Sequence, residues 1–263
     1  MRDFNYQRPN SVADAAKALK GEAKLMAGGM TLIPTMKQRL ASPSDVVDLA
    51  GVKDLAGIKK DGNAIVIGAM TSHDEVAHSA EVKKAIPALA DLADGIGDPQ
   101  VRNRGTIGGS IANNDPAADY PAGCMALGAT IVTNKRKIAA DDFFKGMFET
   151  ALGDGEIITA VSFPIPDKAN YQKFPNPASR YAIVGVMVAK SGGTVRVAVT
   201  GAGQSGVFRH KDAEAALAKS FAAGALDGLK TDAKKLNSDM HASAEYRAHL
   251  VGVMAKRAVA ACG

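Results

Sequence analysis

Apolar residues first fall into register at Val12, Ala15, Ala16 and Leu19, which share one face of VADAAKAL. Asn10-Ser11 precedes that run, Asp14 sits three residues after Ser11, and Gly21 follows, so the spacing predicts a capped helix over 12–19. KLMAGG then reads as a short strand running into a Gly-Gly turn, TLIPTMKQRL as a helix, and VVDL as another strand. Residues 1–52 thus form a small α/β part. A second α/β part, 53–165, opens with the strand AIVIGAM (64–70) behind the turn Asp61-Gly62-Asn63. Helices are expected at 72–78, at 83–94 (Ile86, Leu89, Ala90 and Ala93 on one face) and near 119–127, with strands around 129–133 and 156–163. Pro164, Pro166, Pro175 and Pro177 punctuate a boundary. In the last part, 166–263, Ser-Gly-Gly joins strands at 181–190 and 194–200, and helices follow near 211–220 and 242–261. The fold class is α+β: two α/β parts and a C-terminal sheet-and-helix domain.

One stretch has no periodicity. RNRGTIGGSIANNDPAADYP, residues 102–121, reads as a long polar, glycine-rich loop. Ordering it costs roughly 1–2 kcal/mol per residue, so it is expected to hold something.

Composition narrows what that could be. The chain has 263 residues, 46% hydrophobic and 22% charged, with 32 Lys and Arg against 27 Asp and Glu. The one dense basic run, Lys135-Arg136-Lys137, lacks the aromatic neighbours on which bases stack, which argues against nucleic-acid binding. Cys124 and Cys262 are the only cysteines, too few for an iron–sulfur cluster or a structural zinc. MRDFNYQRPNS has no apolar leader and the longest apolar run, Ala182 to Ala189, is too short to cross a bilayer. A cytoplasmic protein with reduced thiols is expected.

Candidate chemistry is sparse. His73, His78, His210, His241 and His249 show no metal-ligand spacing, and Ser72-His73-Asp74 are sequence neighbours that cannot adopt triad geometry on a helix. Gly201-Ala-Gly203-Gln-Ser-Gly206 matches G-x-G-x-x-G, the basis for a nicotinamide-dependent reading. VFRHKD, however, intervenes before any helix, so the dinucleotide context fails. No acid, base or nucleophile stands out; chemistry here would come with a cofactor. Two turns remain, Ala27-Gly28-Gly29-Met30-Thr31 and Thr106-Ile107-Gly108-Gly109-Ser110. Each pairs adjacent glycines with hydroxyls, so that backbone N–H groups can approach an oxyanion, and together they could clasp a diphosphate. Asn113, Asn114, Asp115 and Asp119 follow, suited to sugar hydroxyls and equally to turns and caps.

AGGMTLIPTMKQRL, GDPQVRNRGTIGGSIANNDPAADYPA and KFPNPASRYAIVG, in this order and spacing, resemble the FAD-binding medium subunit of the molybdenum hydroxylases, the xanthine oxidase and carbon monoxide dehydrogenase family. The separate-subunit carbon monoxide dehydrogenase type is the closest resemblance, and it covers essentially the whole chain. It implies a fold of the vanillyl-alcohol-oxidase-like (PCMH) type with FAD between the first two parts. By the same resemblance, Ala27, Gly28, Gly29, Met30 and Thr31 with Thr106, Gly108, Gly109 and Ser110 hold the pyrophosphate. Asn113 and Asp119 contact the phosphate and sugar region, Ile158 contacts adenine, Lys173 lies near the flavin pyrimidine edge, and Tyr181 passes the isoalloxazine. Met30 and Ser110 are departures, because such chains commonly carry His and Asp there. The implied partners are a large molybdenum-cofactor subunit and a small subunit with two [2Fe–2S] clusters, from which the flavin collects electrons for an external acceptor. The rival expectation is a non-redox nucleotide-binding or assembly module on the same fold, supported only by Met30 and Ser110.

Overall fold

The computed structural model describes residues 1–262; residue 263 lies outside the described residues. The first sheet is parallel, with β1 (Asn5–Gln7), β2 (Lys24–Met26) and β3 (Asp45–Asp48) in the order β1-β3-β2. Helix α1 (Val12–Ala18) begins where predicted, with the Ser11 side chain accepting from the Asp14 amide, and α2 (Leu32–Lys37) follows the first glycine turn.

The second sheet is antiparallel: β4 (Ile58–Asp61), β5 (Ala64–Gly68), β6 (Thr130–Thr133), β7 (Lys137–Ala139) and β10 (Ile158–Pro164), ordered β4-β5-β10-β6-β7. A hairpin of β8 (Phe144–Gly146) and β9 (Glu149–Thr150) stands apart. Helices α3 (His73–His78), α4 (Ala80–Ala85), α5 (Pro87–Asp94), α6 (Pro99–Arg102), α7 (Ile107–Asn113), α8 (Tyr120–Ala126) and α9 (Ala140–Phe143) complete this part. Two expectations are corrected. The single helix over 83–94 is broken at Ile86, because Pro87 has no N–H to give to the preceding turn and instead starts α5. The stretch 102–121 is not one loop: it contains α7.

The third sheet is ordered β11-β12-β13-β14, with β11 (Lys168–Pro175), β12 (Ala182–Ser191), β13 (Thr194–Thr200) and β14 (Phe208–Arg209). The proline-punctuated stretch therefore carries an eight-residue edge strand, with Pro175 at its end, where no ladder bond is lost. Strand β12 is apolar at consecutive positions because both faces are covered. Val184, Val186 and Val188 pack towards α10 (Lys211–Lys219) and α11 (Ala244–Ala261), while Met187 and Ala189 join the core of the middle part. Arg196, on β13, clamps both oxygens of Asp141 at 2.6 Å and donates to the Met125 carbonyl at 2.7 Å, tying the third sheet to α8 and α9.

Candidate functional site

The two glycine turns meet face to face. A Cβ on Gly28 would overlap the carbonyl of Arg104, and one on Gly108 would lie 2.6 Å from the Ala69 Cβ, so both positions are glycine because backbone packs directly on them. Gly29 needs glycine for a second reason, its φ of +76°. The first turn, between β2 and α2, leaves the amides of Gly28, Gly29, Met30 and Thr31 with no acceptor among the described residues.

The second turn differs from what the sequence suggests. Thr106 is the N-cap of α7, and the amides that open this helix are all engaged: Ile107 donates to Thr71 O, Gly108 to Ala69 O at 2.8 Å, Gly109 to Thr106 Oγ1 at 3.1 Å, and Ser110 to Thr106 O. What this turn presents is a surface free of Cβ atoms and the Ser110 hydroxyl. Asn114 ends α7 in the left-handed region, φ 45°. Its buried amide donates to the carbonyls of Gly146 and Glu149 in the β8–β9 hairpin.

Between the turns lies a cavity of about 660 Å³, within the range of small-molecule sites. Thirteen of the fourteen residues singled out from sequence border it: Ala27 to Thr31, then Thr106, Gly108, Gly109 and Ser110, then Asn113, Asp119, Ile158 and Tyr181. The side chains of Thr31, Ser110 and Asn113 make no hydrogen bond among the described residues, which leaves their polar groups available. Tyr181 stands at the rim, half exposed, in a turn where Arg180 adopts φ +61°.

Lys173 is the exception. It sits behind Asp119, its Nζ 2.9 Å from Asp119 Oδ1 and 2.7 Å from the carbonyl of Gly95. The Tyr171 hydroxyl reaches the same carboxylate at 2.5 Å, through space that Gly185 leaves open. Burial pushes the Asp119 carboxyl up, while Lys173 and Tyr171 pull it the other way. Asp119 precedes α8 but caps nothing, so its place at the cavity is not a by-product of helix capping.

Several bordering residues escaped the sequence reading. His73 is 5% exposed; burial, with Arg102 nearby, lowers its pKa to about 4, so the ring is neutral, and its Nδ1 has no partner among the described residues. A capping box of Ser72 and Glu75 opens its helix, and the sequence raises this histidine only for metal-ligand spacing and triad geometry, neither of which points to this cavity. Leu25, Leu49, Leu152 and Ile157 join Ile158 in an apolar stretch of wall, and the buried Glu156 lies beside them. A row of unpaired amides with two free hydroxyls suits an anion, and the neighbouring apolar wall suits a flat heterocycle. The donor set fits a dinucleotide such as FAD.

Comparison with known proteins agrees with this geometry. Residues 2–166 match the family described as the FAD binding domain in molybdopterin dehydrogenase, and residues 169–262 match the CO dehydrogenase flavoprotein C-terminal domain. The chain is 36% identical to the carbon monoxide dehydrogenase medium chain of Afipia carboxidovorans, over 97% of this chain and 95% of that one. It is likewise 36% identical to the nicotine 6-hydroxylase medium subunit of Paenarthrobacter nicotinovorans, over 99% and 97%. A solved carbon monoxide dehydrogenase from Hydrogenophaga pseudoflava superposes with a TM-score of 0.89 at 35% identity, covering 99% of this chain and 97% of that chain.

Proposed function

The chain belongs to the FAD-binding family of the molybdopterin dehydrogenases, of the carbon monoxide dehydrogenase medium-subunit type, and on that premise we propose that it relays electrons through FAD held between its two glycine turns. It is an oxidoreductase subunit and FAD is its cofactor. In our reading the electrons come from [2Fe–2S] clusters on a small partner subunit, the substrate reacts at a molybdenum cofactor on a large partner subunit, and an external acceptor takes the electrons away. With two cysteines this chain supplies too few thiolates for a cluster of its own. We place the assembly in the cytoplasm; no helix among the described residues is long and apolar enough to cross a membrane. We also take 1–52, 53–165 and 166–263 as its three parts.

The observation that carries this reading is the row of unpaired amides from Gly28 to Thr31 facing a Cβ-free surface across the cavity. FAD bound there supplies uptake of electrons one at a time and their release in pairs. The amides of Gly28 to Thr31 and the hydroxyls of Thr31 and Ser110 would hold its diphosphate, and Asn113 the adjoining sugar hydroxyls. Asp119, fixed by Lys173 and Tyr171, presents a carboxyl in one orientation, which Lys173 secures from behind. His73, kept neutral by burial, borders the site without adding a charge to it. No residue of this chain is asked to act as acid, base or nucleophile.

The test is a spectrum of the protein purified with the products of its neighbouring genes, and of this chain alone after loading with FAD. Flavin bands that bleach with reductant are expected. A colourless protein in both samples would overturn the assignment in favour of the non-redox module.

A further inference from the structure

The basic run 135–137, surplus to any nucleic-acid role, has a structural destination. The turn joining β6 to β7 reaches across to residues 151–157, an irregular segment that supplies Leu152, Glu156 and Ile157 to the cavity wall. Asn134 brackets Ile157, its amide donating to the Ile157 carbonyl and its Oδ1 accepting from the Ile157 amide, both at 2.9 Å. Lys135 Nζ donates to the Asp154 carbonyl, and Arg136 Nη2 to the Ala151 carbonyl at 2.6 Å.

At the centre is Glu156, its side chain 2% exposed. Its Oε1 accepts from Thr133 Oγ1 at 2.8 Å and Arg136 Nε at 2.9 Å; its Oε2 accepts from Arg136 Nη2 at 3.0 Å and the Gly153 amide at 2.9 Å. Four bonds use the four lone-pair sites of a carboxylate. Glu156 therefore borders the cavity without a free acceptor for a ligand, and the fork of Arg136 holds it in a fixed, bidentate geometry. That contact also holds the Glu156 carboxyl down to about 2, so the pair stays charged at any physiological pH.

We infer that the Thr133–Arg136 turn and Glu156 form a brace that positions the apolar wall against the adenosine half of FAD, and thereby sets the preference for the dinucleotide over FMN. This rests on the proposal that FAD occupies the cavity, and on the family resemblance, which sets adenine against Ile158. Arg136 and Glu156 are positioning residues: residues 151–157, the irregular part of that wall, have no ladder of their own to keep them in place, and a loosened supporting shell costs affinity at the surface it supports.

The experiment measures dissociation constants of the full-length chain for FAD, FMN and ADP, with the melting temperature of the flavin-free protein alongside. In Arg136→Ala and Glu156→Gln, affinity for FAD and ADP is expected to fall roughly tenfold or more while that for FMN stays within about twofold. Asn134→Ala leaves the Arg136–Glu156 pair in place and should show a smaller loss with the same selectivity; it decides the matter if the charged-pair variants do not fold. FAD affinity unchanged in all the folded variants, or FAD and FMN weakened by the same factor, would overturn the brace. A wild-type chain that binds none of the three would instead overturn the reading of the cavity, and the brace with it.

Discussion

Gly108 and Gly109 are adjacent and carry different loads. A Cβ on Gly108 would lie 2.6 Å from the Ala69 Cβ and 2.7 Å from the Ala69 carbonyl, inside the protein. At Gly109 the nearest atoms are Thr106 Oγ1 at 3.0 Å and the Ala27 Cβ at 3.5 Å, so a side chain there would grow between the two turns. The same substitution should therefore fail in two ways. Gly108→Val forces backbone apart and is expected to cost on the order of 3 kcal/mol or more, lowering the melting temperature by several degrees. Gly109→Val should keep most of that stability and lose FAD. Calorimetry of the flavin-free proteins and the flavin-to-protein absorbance ratio separate the cases, and full flavin content in Gly109→Val would sink the diphosphate assignment. Paired glycines beside hydroxyls are legible in a sequence because the constraint is local. Lys173 and Glu156 are not: Lys173 finds its partner 78 residues away at Gly95, and Arg136 reaches Glu156 from 20 residues away, so only the fold states their roles.

At the scale of elements, amphipathic segments were readable and a polar, glycine-rich helix was not. Helices α1, α8, α10 and α11 and strands β5, β12 and β13 fall where periodicity and caps place them, because each buries one regular face or a continuous apolar run. Helix α7 reads IGGSIAN, with two glycines that each cost about 1 kcal/mol in a helix. It forms because Thr106 caps it, Ile107 and Ile111 are fully buried, and Gly108 lets it pack on Ala69, tertiary gains that no local pattern reports. Its far end illustrates the same point. Asn114 must supply both a left-handed backbone and two hydrogen bonds to the β8–β9 hairpin. Asn114→Ala is expected to destabilise by about 2–3 kcal/mol, since the left-handed strain and two buried unpaired carbonyls add. Asn114→Gly should recover only the backbone share. Urea midpoints measure both: equal stability of the two variants would show that the left-handed strain contributes nothing, and an Asn114→Gly variant as stable as the wild type would show that the hydrogen bonds contribute nothing.

For the whole molecule, the parts do not keep separate interiors: Met187, Ala189 and Ala198 of the third sheet belong to the middle core, and Ile157 of the middle part packs in the first. Strain or charge placed in one part is therefore felt as global stability, and His73 is such a charge. Its folded pKa is about 4 against an ordinary 6.5. Between those values the unfolded chain binds a proton that the folded chain does not, so stability rises with pH across the window. The contribution is complete above pH 6.5 and absent below pH 4, on the order of 3 kcal/mol over that span. His210, lowered chiefly by burial, acts in the same direction. Glu156 acts lower, its stabilisation present above the ordinary carboxylate value of 4.5 and lost as pH falls towards about 2. Replacing His73 with Gln should flatten most of the limb between pH 6.5 and 4 and leave the more acid limb in place, whereas Glu156→Gln should do the reverse. Urea midpoints taken at half-unit steps of pH resolve the two limbs. A His73→Gln variant with the wild-type slope above pH 4 would mean that burial does not depress the pKa of this ring in the folded protein.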